Sequence, residues 1–129
     1  MSFTQLFVAG PDDIDELDHV NNAVWVRWIQ DPATAHWQAV APLDHRQAYV
    51  WVVTRHEVDY RGNVGLGDAV TGETWVPHAP KGARFDRHVR FTDAVGKMVV
   101  EAVTTWALID RATGRLLRIR PAIASPFLD

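Results

Sequence analysis

The spacing of apolar residues changes along the chain, from helical intervals in its first third to alternation afterwards. Between Ala23 and about Val40 the apolar residues recur every three or four positions, which is typical of a helix with one buried face. The polar stretch from Asp18 to Asn22 precedes it, and such side chains accept hydrogen bonds from a first helical turn. Pro32 removes a backbone donor inside this segment, which predicts a kink or a restart of the helix.

From Gln47 onwards the pattern is that of β-strands. Even positions from Val50 to Tyr60 are largely apolar and the later odd positions are charged, so we expect one long strand over Gln47–Arg61 with a single apolar face. A short strand is also expected before the helix, at Phe3–Ala9. The remaining predicted strands are Asp68–Val76, Ala83–Phe91, Lys97–Ile109 and Leu116–Arg120.

The predicted order is a strand, one long helix, and then four or five antiparallel strands in a meander. The links between these strands are too short for parallel crossovers. One face of such a sheet needs cover, and the helix can supply it. Residues 1–129 therefore fit one domain of the α+β class.

Composition narrows the function classes. Hydrophobic residues make up 47% of the chain, which argues against disorder, and the net charge of −3 argues against a nucleic-acid surface. The absence of cysteine excludes disulfides, thiolate metal sites and a cysteine nucleophile. The histidines form no metal-binding spacing, so neither a metal nor another cofactor is expected. Neither a membrane span nor a signal peptide is indicated, so the expected location is the cytoplasm.

Tryptophan is unusually frequent, with six residues in 129. Most of them are interpreted as core residues, and some as the lining of an apolar ligand channel or a subunit interface. A chain of this size does not readily bury all six alone, which favours an oligomer. They are Trp25, Trp28, Trp37, Trp51, Trp75 and Trp106.

The stretch DELDHVNNAVWVRW, from Asp15 to Trp28, carries the candidate chemistry. Free backbone N–H groups at a helix N-terminus can stabilise an oxyanion, and those of Asn22 and Ala23 are the candidates. Asp15 could attack a carbonyl or take a proton from water, and His19 could orient the water or the carboxylate. The alternative is that these residues only cap the helix, which is the more common role of a lone Asp in such a place.

The string Asp15-x-x-Asp18-His19-Val20-Asn21-Asn22-x-x-Trp25-x-x-Trp28 resembles the D-x-x-G-H-V-N-N-x-x-Y-x-x-(W/F) signature of the 4-hydroxybenzoyl-CoA thioesterase-like group. It is also similar to the D-x-N-x-H-V-N-N segment of acyl-carrier-protein thioesterases. Later stretches match the same group in order. They are Val58-Asp59-Tyr60-Arg61 with Gly67-Asp68, and Ala102–Asp110 with Thr113-Gly114-Arg115.

The resemblance implies a hotdog fold, in which a curved antiparallel sheet of five to six strands wraps one long central helix. It implies hydrolysis of an acyl-CoA or acyl-carrier-protein thioester in a homodimer or homotetramer, with the active site between two subunits. By position the catalytic residues would be Asp15, His19 and Asn22. The residues expected to contact the substrate are Asn21, Ala23, Trp25, Trp28 and Arg61, the last through phosphates.

Three departures limit what can be carried over. Asp18 replaces a small residue, Leu17 replaces the asparagine of the carrier-protein enzymes, and Val64 lies about where those enzymes have a cysteine. A mechanism that needs that asparagine or cysteine is therefore not expected here, and the carboxylate mechanism is.

Three alternatives stay open. A hotdog hydratase or dehydratase acting on acyl-CoA would also use a carboxylate with a histidine. A non-enzymatic module that binds an acyl or aromatic ligand would keep the tryptophans and not need Asp15. A structural dimer without a ligand is disfavoured by the Asp15–Asn22 string.

Overall fold

The computed structural model describes residues 2–128, which form one long helix packed on an antiparallel sheet. Short 3-10 turns occupy Pro11–Asp13 and Ser125–Phe127. The helices are α1 (Asn22–Val40), α2 (Leu43–Ala48) and α3 (Pro121–Ala124), and the strands are β1 (Ser2–Val8), β2 (Tyr49–Tyr60), β3 (Ala69–Trp75), β4 (Arg84–Asp93) and β5 (Met98–Asp110).

The strands form a five-stranded sheet in the order β1-β3-β4-β5-β2, with every neighbouring pair antiparallel. The predicted meander holds only from β3 to β5, and it is wrong for β2, which pairs with β5. The reason is that α1 carries the chain across the inner face of the sheet. Strand β2 therefore begins at the edge opposite β1 and pairs with β5 there. This arrangement of a central helix and a curved sheet is the hotdog fold that the sequence predicts.

Helix α1 buries one side against the sheet through Val24, Trp28, Ile29 and Ala33, with Trp37 near its end. The predicted restart at Pro32 is wrong, because the helix runs without interruption from Asn22 to Val40. Packing of this apolar face outweighs the local cost of the proline. The chain then turns into α2, where the sequence predicted the beginning of a strand.

A bulge in β2 changes which side chains face the helix. The pairing with β5 shifts register between Val53 and Arg55. Trp51 therefore packs inward before the bulge, and Val58 packs inward after it. The predicted single apolar face over even positions is wrong for the first half of the strand, where Val52 is 40% exposed.

The predicted strand Leu116–Arg120 does not form. Only Leu116 makes an isolated bridge, with Ile109. Strand β4 pairs with β5 only as far as Ala107, so on that side only the last residues of β5 are free. The segment bonds to them through Leu117 N–H, which donates to the Leu108 carbonyl, but this free edge is too short for a strand. The segment instead covers the end of the core with Ile119, and Ile123 and Phe127 follow it there.

The core consists of two apolar clusters along α1. One surrounds Trp25 and Trp28 in the first half of the helix, and the other surrounds Trp37 in the second half. Between them the inward positions of four strands are polar, and we call this set the polar band. Its members are Thr74, Arg87, Thr104 and His56, with His36 and Gln30 of α1 contacting them.

Within residues 2–128, no helix is long and apolar enough to cross a membrane.

Candidate functional site

The polar stretch in front of α1 folds into a tight loop. Ile14 and Val20 form an isolated antiparallel bridge, and the Asp15 N–H donates to the His19 carbonyl at 2.8 Å. Asp18 closes the turn with a positive φ of 61° and a 3.1 Å hydrogen bond to the Asp15 carbonyl. The loop therefore presents Asp15 at a defined position before the helix.

The Asp15 carboxylate is held by one of its two oxygens. Oδ1 accepts hydrogen bonds from the Leu17 N–H at 2.9 Å and from the His19 N–H at 3.2 Å. Oδ2 accepts none from residues 2–128, and the residue is half-buried. The loop thus orients the carboxylate and leaves one oxygen available for a substrate or a water molecule.

Asn21 caps the helix and changes which backbone donors are available. Its Oδ1 accepts from the Ala23 N–H at 2.9 Å, and its carbonyl accepts from Val24 and Trp25. The N–H of Ala23, expected to be free, is therefore occupied. The Asn22 N–H has no partner among the described residues, so it is the free donor of this first turn.

His19 lies in the same loop, but its ring does not contact the Asp15 carboxylate. The side chain is exposed and makes no hydrogen bond within residues 2–128; only its backbone N–H reaches Asp15. The structure of one chain therefore places the two residues in one loop without forming a hydrogen-bonded pair of side chains.

An open groove runs beside this loop. Asp15 and Asn21 border it, together with Ile14, Glu16 and Leu17. All five lining residues lie in the segment before α1, and the groove is open to solvent.

The remaining predicted substrate contacts lie elsewhere. Trp25 is fully buried and Trp28 is 4% exposed, both in the first core cluster. Arg61 is exposed, and its Nη2 and Nε donate to Oε1 of Glu101 at 2.7 Å and 3.1 Å. Within one chain, the two tryptophans pack in the core and do not line the groove, and Arg61 lies on the sheet surface.

Asn63 positions the helix N-terminus, and sequence reasoning missed it. Its Oδ1 accepts from Trp25 Nε1 at 3.2 Å, and its Nδ2 donates to the Val20 carbonyl at 3.2 Å. The next residue, Val64, accepts from the Val20 N–H through its carbonyl at 3.0 Å. In the sequence Asn63 looks like an ordinary turn residue, so its contact with Trp25 depends on tertiary structure.

The polar band contains the titratable groups whose pKa the fold changes most. Burial, reinforced by the Arg87 cation, lowers the pKa of His36 to about 4, and its Nδ1 accepts from Arg87 Nη1 at 3.0 Å. Burial also lowers the pKa of His56, whose Nδ1 lies 2.8 Å from Thr104 Oγ1. Both imidazoles are therefore neutral at pH 7.

No three His, Asp or Glu side chains of residues 2–128 stand close enough together to bind a metal ion.

Comparison with known families gives a match over nearly the whole chain. The model of the thioesterase-like superfamily matches residues 9–127, which include the Asp15 loop and all of α1. No curated protein matches the chain in sequence.

Several solved structures share this fold at low sequence identity. An acyl-ACP thioesterase from Bacteroides thetaiotaomicron is 23% identical with a TM-score of 0.83, over 99% of this chain and 54% of the other. A thioesterase from Thermus thermophilus, complexed with coenzyme A and Zn, is 22% identical with a TM-score of 0.83, over 97% and 90%. A 1,4-dihydroxy-2-naphthoyl-CoA thioesterase from Synechocystis is 11% identical with a TM-score of 0.82, over 98% and 96%. The chain therefore spans about half of the first of these proteins and most of the other two.

Proposed function

We propose that this chain, which belongs to the thioesterase-like superfamily, hydrolyses an acyl thioester carried by coenzyme A or by an acyl carrier protein. The observation that carries the proposal is the pair of free groups at the helix N-terminus. One is the second carboxylate oxygen of Asp15, and the other is the N–H of Asn22. Acyl transfer needs a nucleophile or base and an oxyanion donor, and these two groups are of those kinds.

The reaction would proceed at the groove beside Asp15 and Asn21. The Asn22 N–H and the positive end of the α1 dipole would stabilise the negative charge that develops on the thioester oxygen. Asp15 would attack the carbonyl or take a proton from the attacking water. The thiolate leaves readily, so the products are a carboxylic acid and a thiol without a strong general acid.

The other predicted residues would have supporting roles. His19 is exposed four positions after Asp15 and could turn towards a substrate in the groove. Asn21 fixes the first turn by its capping bond, so its contribution would be to hold Asn22 in place. Trp25 and Trp28 would act through the position of the helix, since both are buried. Arg61 could reach the phosphates of the carrier arm from the sheet surface.

Neighbouring structures support both proposed carriers. One is described with coenzyme A bound, and another is an acyl-ACP thioesterase. We also propose a homodimer, or a tetramer of two dimers, because one chain leaves the groove open and leaves the twelve-residue strand β2 at the edge of its sheet.

The test is thiol release from a panel of straight-chain, branched and aromatic acyl-CoAs and acyl carrier proteins. We expect Asp15→Asn to lower the rate by about 10²–10⁴-fold, the usual contribution of a general base. The amide Oδ1 can still accept from Leu17 and His19, so the loop should keep its fold.

Asp18→Asn is the matched control. It removes one carboxylate from the same loop at a position with φ of 61°, which asparagine tolerates. Equal loss of activity in both variants would mean that loop charge, rather than Asp15 itself, is required. No thiol release from any substrate, combined with a change in enoyl absorbance, would replace hydrolysis by hydration or dehydration.

A further inference from the structure

A cavity of about 220 Å³ lies between the second half of α1 and the sheet, away from the Asp15 groove. The helix backbone lies closest to β1 and β3, so the other side of the inner face is less covered. Five aromatic rings contribute to the cavity wall. The contributing rings are Trp37, Trp51, Phe85, Trp106 and Phe127.

Three arginines also line this cavity, and none of its described lining residues is acidic. Arg87 lies on the inner face of β4, while Arg46 and Arg111 lie where α2 and the end of β5 meet. Within residues 2–128, no carboxylate lies within 4.0 Å of any of the three guanidinium groups. The cavity therefore combines an apolar wall with an uncompensated positive charge.

Arg87 is held in place but keeps unused donors. Its Nη1 donates to His36 Nδ1 at 3.0 Å and to Thr74 Oγ1 at 3.3 Å. Nε and Nη2 donate to no atom of residues 2–128. Burial lowers the pKa of Arg87 to about 10, so the group is still a cation at pH 7. A partly buried cation with free donors is stabilised by an anion that enters the same space.

We propose that this cavity binds a small apolar monocarboxylate, with its aromatic or aliphatic body among the tryptophans and its carboxylate at Arg87. The size fits such a molecule, because a cavity of about 150 Å³ lined by apolar side chains holds benzene. A carboxylate can accept two hydrogen bonds from a guanidinium group in one plane. Arg111 already donates to three backbone carbonyls and Arg46 to one, so a single carboxylate at Arg87 is the best match.

Within one chain, the site is separate from the Asp15 groove. The two share no lining residue, and Ala33, the first α1 residue of the cavity, lies about 16 Å along the helix from Asn22. Binding to this cavity and thioester hydrolysis are measured in different assays, so a negative result in one leaves the other result standing.

The experiment is calorimetric titration of the full chain with 3-phenylpropionate, in a buffer without carboxylates, with the neutral 3-phenylpropionamide as the comparison ligand. We expect the carboxylate to bind at least tenfold more tightly than the amide. The Asp15→Asn variant should bind it as the wild type does. Equal affinity for the two ligands, or no binding of either, would overturn the proposal.

Two variants locate the site. Ala33→Leu fills the cavity without changing charge, and it should abolish binding, while Ala39→Leu on an exposed position of the same helix should not. Arg87→Gln should reduce the affinity for the carboxylate to that for the amide, and Arg87→Lys should restore part of it. Wild-type binding by Ala33→Leu would place the ligand elsewhere, and this result is informative even if Arg87→Gln does not fold.

Discussion

His36 shows how one residue can make stability depend on pH. The imidazole is fully buried, stacks on Phe3 at 5.1 Å and accepts a hydrogen bond from Arg87. A proton on Nδ1 would break that bond and place a second cation beside the guanidinium group. The folded protein therefore keeps His36 neutral at pH values at which a free histidine would already be protonated.

We expect the free energy of unfolding to fall as the pH decreases from 6.5 to about 4. In this window the unfolded chain binds a proton at His36 and the folded chain does not, because the folded pKa is about 4 against 6.5 in the unfolded chain. The contribution is fully present above pH 6.5 and is lost below about pH 4. Its size is on the order of 3 kcal/mol.

Denaturant unfolding at several pH values measures this dependence. Carboxylates also titrate near pH 4, so the informative quantity is the difference between the wild type and His36→Gln. The variant should have a flatter dependence between pH 4 and 6.5. If both proteins lose stability in parallel, other groups cause the pH dependence between 4 and 6.5. His56 is the first of these to test, because burial also lowers its pKa.

At the scale of single residues, the sequence predicts one part of the Asp15 site and misses another. The string before α1 identifies the loop, since the residue types and their spacing are local. The choice between the N–H of Asn22 and that of Ala23 depends on whether the Asn21 side chain bonds back to the backbone, which it does at 2.9 Å. The support from Asn63, 38 residues away from Trp25, is not visible in any local pattern.

At the scale of elements, the sequence predicts the helix and most strands because their periodicity is local. The sequence-based predictions fail where contacts between distant parts of the chain determine the structure. Periodicity in β2 cannot reveal the bulge after Val53, which reverses the inward face of the strand. Leu116–Arg120 has strand-like residues, but only the last residues of β5 are free to pair with it. Pro32 predicts an interruption that the buried face of α1 overrides.

Gly72 in β3 is a position where an added methyl group would collide with core side chains. It lies on the inner face of β3, and an added Cβ would be 2.8 Å from Cε1 of Phe91 and 3.2 Å from Cε2 of Phe7. Phe91 is fully buried, so its ring cannot move without disturbing the first core cluster. We expect Gly72→Ala to lower the free energy of unfolding by about 1–3 kcal/mol, the usual cost of overpacking.

Thr71→Ala is the control for this prediction, because Thr71 is the exposed neighbour on the same strand. Chemical denaturation of both variants should show a clear loss only for the glycine substitution. An equal or smaller loss for Gly72→Ala would mean that the two rings have room to separate.

At the scale of the whole molecule, the sheet has two edges, β1 and β2. The β2 edge is twelve residues long and carries the partly exposed apolar residues Val52 and Tyr60. Unpaired N–H and C=O groups on a long edge are a template for another strand. The same side of the inner face is the one that α1 covers least, so a second chain pairing there would extend the sheet and enclose more of the core.

We therefore expect light scattering to give a mass near two or four times the 14.5 kDa of one chain, and Val52→Lys with Thr54→Pro to lower it. Lysine and proline are the residues that protect natural edges from pairing. Thr54 is unpaired in the β2–β5 register, so proline there spares the ladder within the chain.

The control is Val52→Thr with Thr54→Ala, which keeps the backbone donor and should leave the mass unchanged. If the active site lies between subunits, thiol release should fall together with the mass; a fully active single chain would place the whole site within one protomer.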